Sequence, residues 1–137
     1  MGTRRKARIL AFQTLYRYDI SETALADLLD FSWYGEERLA RLGEDIIAFA
    51  QLIIAGAIEH IGTIDDAIKE HLQHWDFSRL SRVDLAILRM SGYCLLFQKD
   101  IPPSVTIDEA IHIAKEFSSD EAYKFINGIL DGMIKKI

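Results

Sequence analysis

The chain has 137 residues, half of them hydrophobic and 27% charged, with two prolines and one cysteine. That balance excludes collagenous, low-complexity and mostly disordered classes, and Cys94 alone excludes an internal disulfide or a cysteine-based zinc site. The formal charge is −5, yet the first 18 residues hold five cations (Arg4, Arg5, Lys6, Arg8, Arg17) and no acid, leaving 11 basic against 21 acidic side chains in the other 119.

In chain order the apolar residues recur at helical spacing, and no segment alternates long enough to suggest a strand. A first helix is expected from about Thr3 to Asp19, with Ala7, Ala11, Leu15, Ile9, Phe12 and Tyr16 on a wide apolar arc. Lys6, Gln13 and Arg17 share its one polar stripe. Ser21 is placed to cap a second helix reaching about Phe31, and the stretch from Ser32 to Gly43 reads as a loop or short turn. A nearly all-apolar helix from about Glu44 to Glu59 is expected as the central core element. Its Gly56 lowers helix propensity by about 1 kcal/mol relative to alanine and invites the close approach of a neighbour.

Thr63-x-x-Asp66 has capping-box spacing and opens a helix to about His74. Asp76 to Ser81 is a break, after which Ser81-x-x-Asp84 caps a helix to about Lys99. Pro102-Pro103 closes that unit. Thr106-x-x-Glu109, with Val105 as a staple on Ala110, starts a helix to about Phe117. Ser118-x-x-Glu121 starts the last one, to about Lys135. The expected fold is therefore all-α: about seven helices in two packed bundles within one domain, residues 1–74 and 75–137.

Catalytic signals are nearly absent. No glycine-rich phosphate loop, HExxH or GxSxG occurs, so an enzyme is not expected, and neither a cofactor nor a metal is implied. His71 and His74 share a helix face without an obvious third ligand, and Cys94 sits in an apolar run that suits a buried small hydrophobe. The longest uncharged run, Ile46 to Ile58, spans 13 residues and is too short for an easy membrane span. Ala7 to Tyr18 is interrupted by Arg8, Gln13 and Arg17 and makes no signal segment, so a cytoplasmic location is expected. A basic head on an acidic body suggests a local anion site, of which a nucleic-acid backbone is the commonest, or else a solvated terminal tag. Four cations at a helix N-terminus oppose its dipole, which favours the functional reading.

Three blocks carry a family resemblance. Thr3-Arg4-Arg5-Lys6-Ala7-Arg8 with Ala11-Phe12-Gln13-Thr14-Leu15-Tyr16 opens the chain as in the NusB family of transcription antitermination factors. Trp75 to Arg89 (WDFSRLSRVDLAILR) resembles the family's mid-chain signature. Asp100 to Ala110, Ala114-Lys115 and Lys124 to Asp131 complete the likeness; only about Ile20 to Gly62 lacks a diagnostic motif. The resemblance implies a non-catalytic adaptor that binds boxA-type single-stranded RNA with the ribosomal protein NusE, in an antitermination complex with RNA polymerase. Carried over, the RNA-binding positions are Arg4, Arg5, Lys6 and Arg8, with a second region at Glu121, Lys124 and Phe125. The NusE-facing positions are Tyr16, Asp84 and Arg89. Lys6 stands where the family commonly has arginine, keeping the charge without the guanidinium fork. Ser118 replaces a frequent glycine. The alternative is a protein-only helical module, or a homodimer whose basic head meets acidic surface.

Overall fold

The computed structural model describes residues 3–72 and 76–135, and these contain eight α-helices, one 3-10 turn and no strand. The helices are α1 (Thr3–Ile20), α2 (Leu25–Leu29), α3 (Glu36–Leu42), α4 (Glu44–Glu59), α5 (Ile61–Lys69), α6 (Arg82–Phe97), α7 (Pro103–Phe117) and α8 (Ala122–Lys135). The apolar arc of α1 is its buried face: Ala7, Leu10, Ala11 and Leu15 are within 1% of complete burial. Thr14 belongs to the same face, and its hydroxyl donates to the Leu10 carbonyl at 2.8 Å, so that hydroxyl is not stranded.

The axis of the molecule is α6 rather than α4. Leu85 to Leu95 are eleven consecutive buried residues, so α6 is covered on every side. It packs against α1 and α4 on one flank and against α7 and α8 on the other, which joins the two bundles. By contrast α4 leaves Leu52 55% exposed and buries one face, Ile46, Ala50, Ile53, Ile54 and Ala57. Gly56 is where α4 meets α6: a Cβ there would lie 2.3 Å from the Tyr93 ring, so only glycine permits this approach.

Side-chain pairs set the helix directions. Arg5 meets Glu109 and Phe12 meets Phe117, so α1 and α7 run parallel, side by side. Arg82, at the start of α6, meets Asp19, at the end of α1, so those two are antiparallel.

Several helix starts depart from the sequence expectations. Ser81 caps α6 as expected, its hydroxyl accepting from the Asp84 N–H at 3.0 Å. Ser21 instead closes α1 by donating to the Arg17 carbonyl, and α2 begins four residues later. The segment expected as a loop contains α3, bounded by Gly35 and Gly43 at φ of +98° and +90°, backbone that favours glycine. Acids in its first turn and Arg41 in its last complement the dipole. The capping box at Thr63 does not form, because α5 already starts at Ile61. Likewise Thr106 lies buried inside α7, which starts at Pro103, a residue suited to the first turn since its missing N–H would be unpaired there anyway. Val105 is 43% exposed and makes no staple. Ser118 does not cap α8; its hydroxyl bonds the Asp84 carboxylate and ties the α7–α8 turn to the start of α6. His74, the expected end of the helix opening at Thr63, and Trp75, at the bundle boundary, lie outside the described residues.

Candidate nucleic-acid interface

The basic cluster occupies the first turns of α1, where α7 begins and α6 ends. A helical rise of 1.5 Å per residue and 100° of rotation sends its four cations in different directions. Arg4 and Lys6 are exposed, Arg5 is half-buried, and Arg8 is only 3% exposed. Arg4 lays its guanidinium over the Phe49 ring, 4.0 Å from the centroid, which orders the side chain while its charge stays accessible. Lys6 has no ion pair among the described residues.

Arg5 is held by Glu109 of α7. Nε donates at 2.6 Å and Nη2 at 3.0 Å, a bidentate pair. The hydrogen bonds from Arg5 hold the Glu109 carboxyl below its ordinary value, and the same bonds raise Arg5. Arg8 points inward, between Phe49 and Cys94. Its Nε has no hydrogen-bond partner among the described residues. Cys94 beneath it is buried, and desolvation pushes its thiol up to about 11 although Arg8 acts in the opposite sense. It is the small buried hydrophobe the sequence suggests, not a nucleophile at neutral pH.

The second region lies at the far end of the α1–α7 pair. Lys124 and Glu121 form an exposed ion pair at 2.9 Å. Phe125 is half-buried against the core and lines a cleft of about 340 Å³ with Arg79, Ser81, Asp84 and Glu121. The two regions are thus not contiguous: the eight helical steps from Glu109 to Phe117 alone rise about 12 Å.

Tyr16, Asp84 and Arg89 fall into different environments. Tyr16 is half-buried and lines a groove with Arg17, Trp33, Val83 and Phe117. Asp84 is half-buried and accepts from Ser118. Arg89 is 8% exposed and committed internally: Nε and Nη2 donate to the two Asp65 oxygens at 2.9 and 2.8 Å, and Asp19 stands 3.6 Å away. Burial works against its charge, but the bonds to Asp65 and the nearby carboxylates outweigh that and raise its pKa. Glu109, Phe49, Asp19 and Asp65 were not legible as site-forming, since each acts across tens of residues of sequence.

His71 hydrogen-bonds the Ala67 carbonyl at 2.9 Å, and no group of three or more metal-ligating side chains occurs among the described residues. Among the described residues no single helix is long and apolar enough to cross a membrane.

Residues 5–135 match the family model described as the NusB family. A transcription antitermination protein NusB of Treponema pallidum is 46% identical over 132 residues, covering 96% of this chain and 92% of that protein. T. maritima NusB superposes with a TM-score of 0.85 at 38% identity, over 97% of this chain and 91% of that one. A chain of the crystal structure of antitermination factors NusB and NusE in complex with dsRNA superposes with a TM-score of 0.88 at 30% identity, over 100% and 99%.

Proposed function

The chain belongs to the NusB family, and from that membership we propose that it is a transcription antitermination factor that binds boxA-type single-stranded RNA together with the ribosomal protein NusE. The observation that carries the RNA side is the charge imbalance at the start of α1. Four cations stand there against one paired acid, Glu109, on a protein whose net charge is −5. Arg4 and Lys6 are the phosphate contacts, since both are exposed and neither is ion-paired among the described residues. Arg5 stiffens the turn that presents them and offers its remaining N–H groups.

At the other end, Lys124 supplies the second cationic contact beside Phe125, with Glu121 moderating the charge. NusE docks near Tyr16 and Asp84. Arg89 serves that surface from below, by holding Asp19 and Asp65 in place. The role needs no catalytic step and no cofactor: recognition, and delivery of the RNA to the polymerase complex in the cytoplasm, suffice. The 137 residues act as one domain, with α6 common to both bundles.

Fluorescence anisotropy with a labelled boxA-type RNA, with and without NusE, tests this. The Arg4→Ala/Lys6→Ala double variant is expected to bind at least tenfold more weakly. Its slope of log K against log salt should fall by about 1.4, the loss of two phosphate contacts on a single strand. Unchanged affinity and slope would overturn the assignment of these two residues.

A further inference from the structure

Behind the basic turn lies a cleft of about 690 Å³ bounded by α1, α4, the end of α6 and the start of α7. Its rim is apolar. Six large hydrophobic side chains are prominently exposed among the described residues, and three of them, Leu52, Phe97 and Val105, surround this one opening. Its walls are aromatic and ordered: Phe49 beneath Arg4, and Phe97 stacked with both His60 (4.1 Å between centroids) and Tyr93 (5.6 Å).

Two polar side chains line the cleft while almost wholly buried, Arg8 at 3% and Gln98 at 8% exposure. Neither is fully satisfied: the Arg8 guanidinium meets the Cys94 thiol, but its Nε, a donor, and Gln98 Oε1, an acceptor, lack partners among the described residues. Folded proteins leave few such atoms unmatched, because each forfeits hydration without replacing it. A donor and an acceptor stranded in the wall of one apolar cleft mark a place for a ligand that is flat, largely apolar on its faces and hydrogen-bonding along its edge.

We propose that this cleft is a nucleobase pocket. One unstacked base of the bound single strand turns inward, packs against the aromatic wall, and exchanges hydrogen bonds with Gln98 and Arg8. The proposal rests on the RNA-binding reading above and adds a specificity element to it. Arg4 belongs both to the pocket and to the exposed cationic turn, so phosphates on Arg4 and Lys6 bring a base to the opening. Asp100, an exposed acid lining the same cleft, sorts the ligand's parts: it repels a phosphate but accepts the exocyclic amine of a base. An apolar peptide side chain would fill the rim and leave Arg8 and Gln98 unmatched. Unpaired bases held by aromatic and arginine side chains are the usual currency of single-strand recognition.

The test is an abasic scan. BoxA-type RNAs lacking one base at a time, with every phosphate kept, are titrated against the wild-type protein, Phe97→Ala and Gln98→Leu in the presence of NusE. One position is expected to weaken wild-type binding by ~5- to 50-fold with the salt slope unchanged, and that position should lose its effect in either variant. Phe97 is part-exposed, so Phe97→Ala carries the comparison should Gln98→Leu fail to fold by circular dichroism. Tolerance of every abasic site within twofold, or equal sensitivity in all three proteins, would overturn the pocket and leave the RNA-binding reading standing. Failure of the parent RNA to bind, with or without NusE, would remove both. Weaker NusE binding by the variants without RNA would make the cleft a protein-docking site and end the proposal.

Discussion

The two ends of α1 are equally rich in charge and opposite in design. At its C-terminal end Asp19 meets Arg82 at 3.1 Å and Arg89 at 3.6 Å, and Arg89 is gripped in addition by Asp65. Two arginines there face two carboxylates, and the knot ties α1, α5 and α6 together. At the N-terminal end Arg4, Arg5, Lys6 and Arg8 face one carboxylate in an ion pair among the described residues, Glu109. Charges balanced within the fold hold helices together. A surplus left unbalanced by the fold awaits something from outside.

The sharpest way to break this contrast is to remove one arginine from each end. Arg89→Ala would leave Asp19 and Asp65, both 15% exposed at the side chain, without their shared counter-ion. A loss of ~3 kcal/mol in urea unfolding is expected, while RNA affinity of the folded fraction stays the same. A loss below ~1 kcal/mol would show that the C-terminal knot is not the cohesive element it resembles.

A smaller effect is expected at the one balanced pair of the N-terminal end. The unfolded chain titrates Glu109 near its ordinary 4.5 and the folded chain below that, because Arg5 hydrogen-bonds the carboxylate. Between those values the unfolded state binds more protons, so stability rises with pH in that window. The contribution, ~1 kcal/mol for such a pair, is complete above about 4.5 and vanishes as pH falls through the folded value. Glu109→Gln should flatten that part of the stability–pH curve; an unaltered curve would show that the acid loss arises elsewhere.

The smallest change in stability belongs to Arg8. Arg8 is buried without an ion pair among the described residues and acts on Glu109 only at longer range, so Arg8→Met should leave the unfolding free energy within ~1 kcal/mol or raise it. RNA affinity should fall in the same protein. A stability loss like that of Arg89→Ala would place both ends of α1 in one class.

Much of this was readable before any coordinates. Helical periodicity located α1, α4 and α6, and the Ser81 cap was correct to the residue because its hydroxyl has no competing partner. The burial of Arg8 was not read from the sequence, which grouped it with Arg4, Arg5 and Lys6 as an RNA-binding cation; in the fold it is 3% exposed. The capping boxes at Thr63 and Thr106 do not form because α5 and α7 start upstream, at Ile61 and Pro103, and the one at Ser118 does not because a tertiary partner takes its hydroxyl. Ser118 found Asp84, 34 residues away. The short α3 escaped notice because seven residues between two glycines carry little periodicity. The partner of Arg5 lies 104 residues along the chain, and no local pattern could announce it.

Gly56 has a reach beyond its own helix. The Tyr93 ring occupies the volume where a methyl at position 56 would stand, and that ring is also a wall of the cleft beside Arg8. A single missing carbon on α4 therefore fixes where one wall of that opening stands, and an alanine there would shift it.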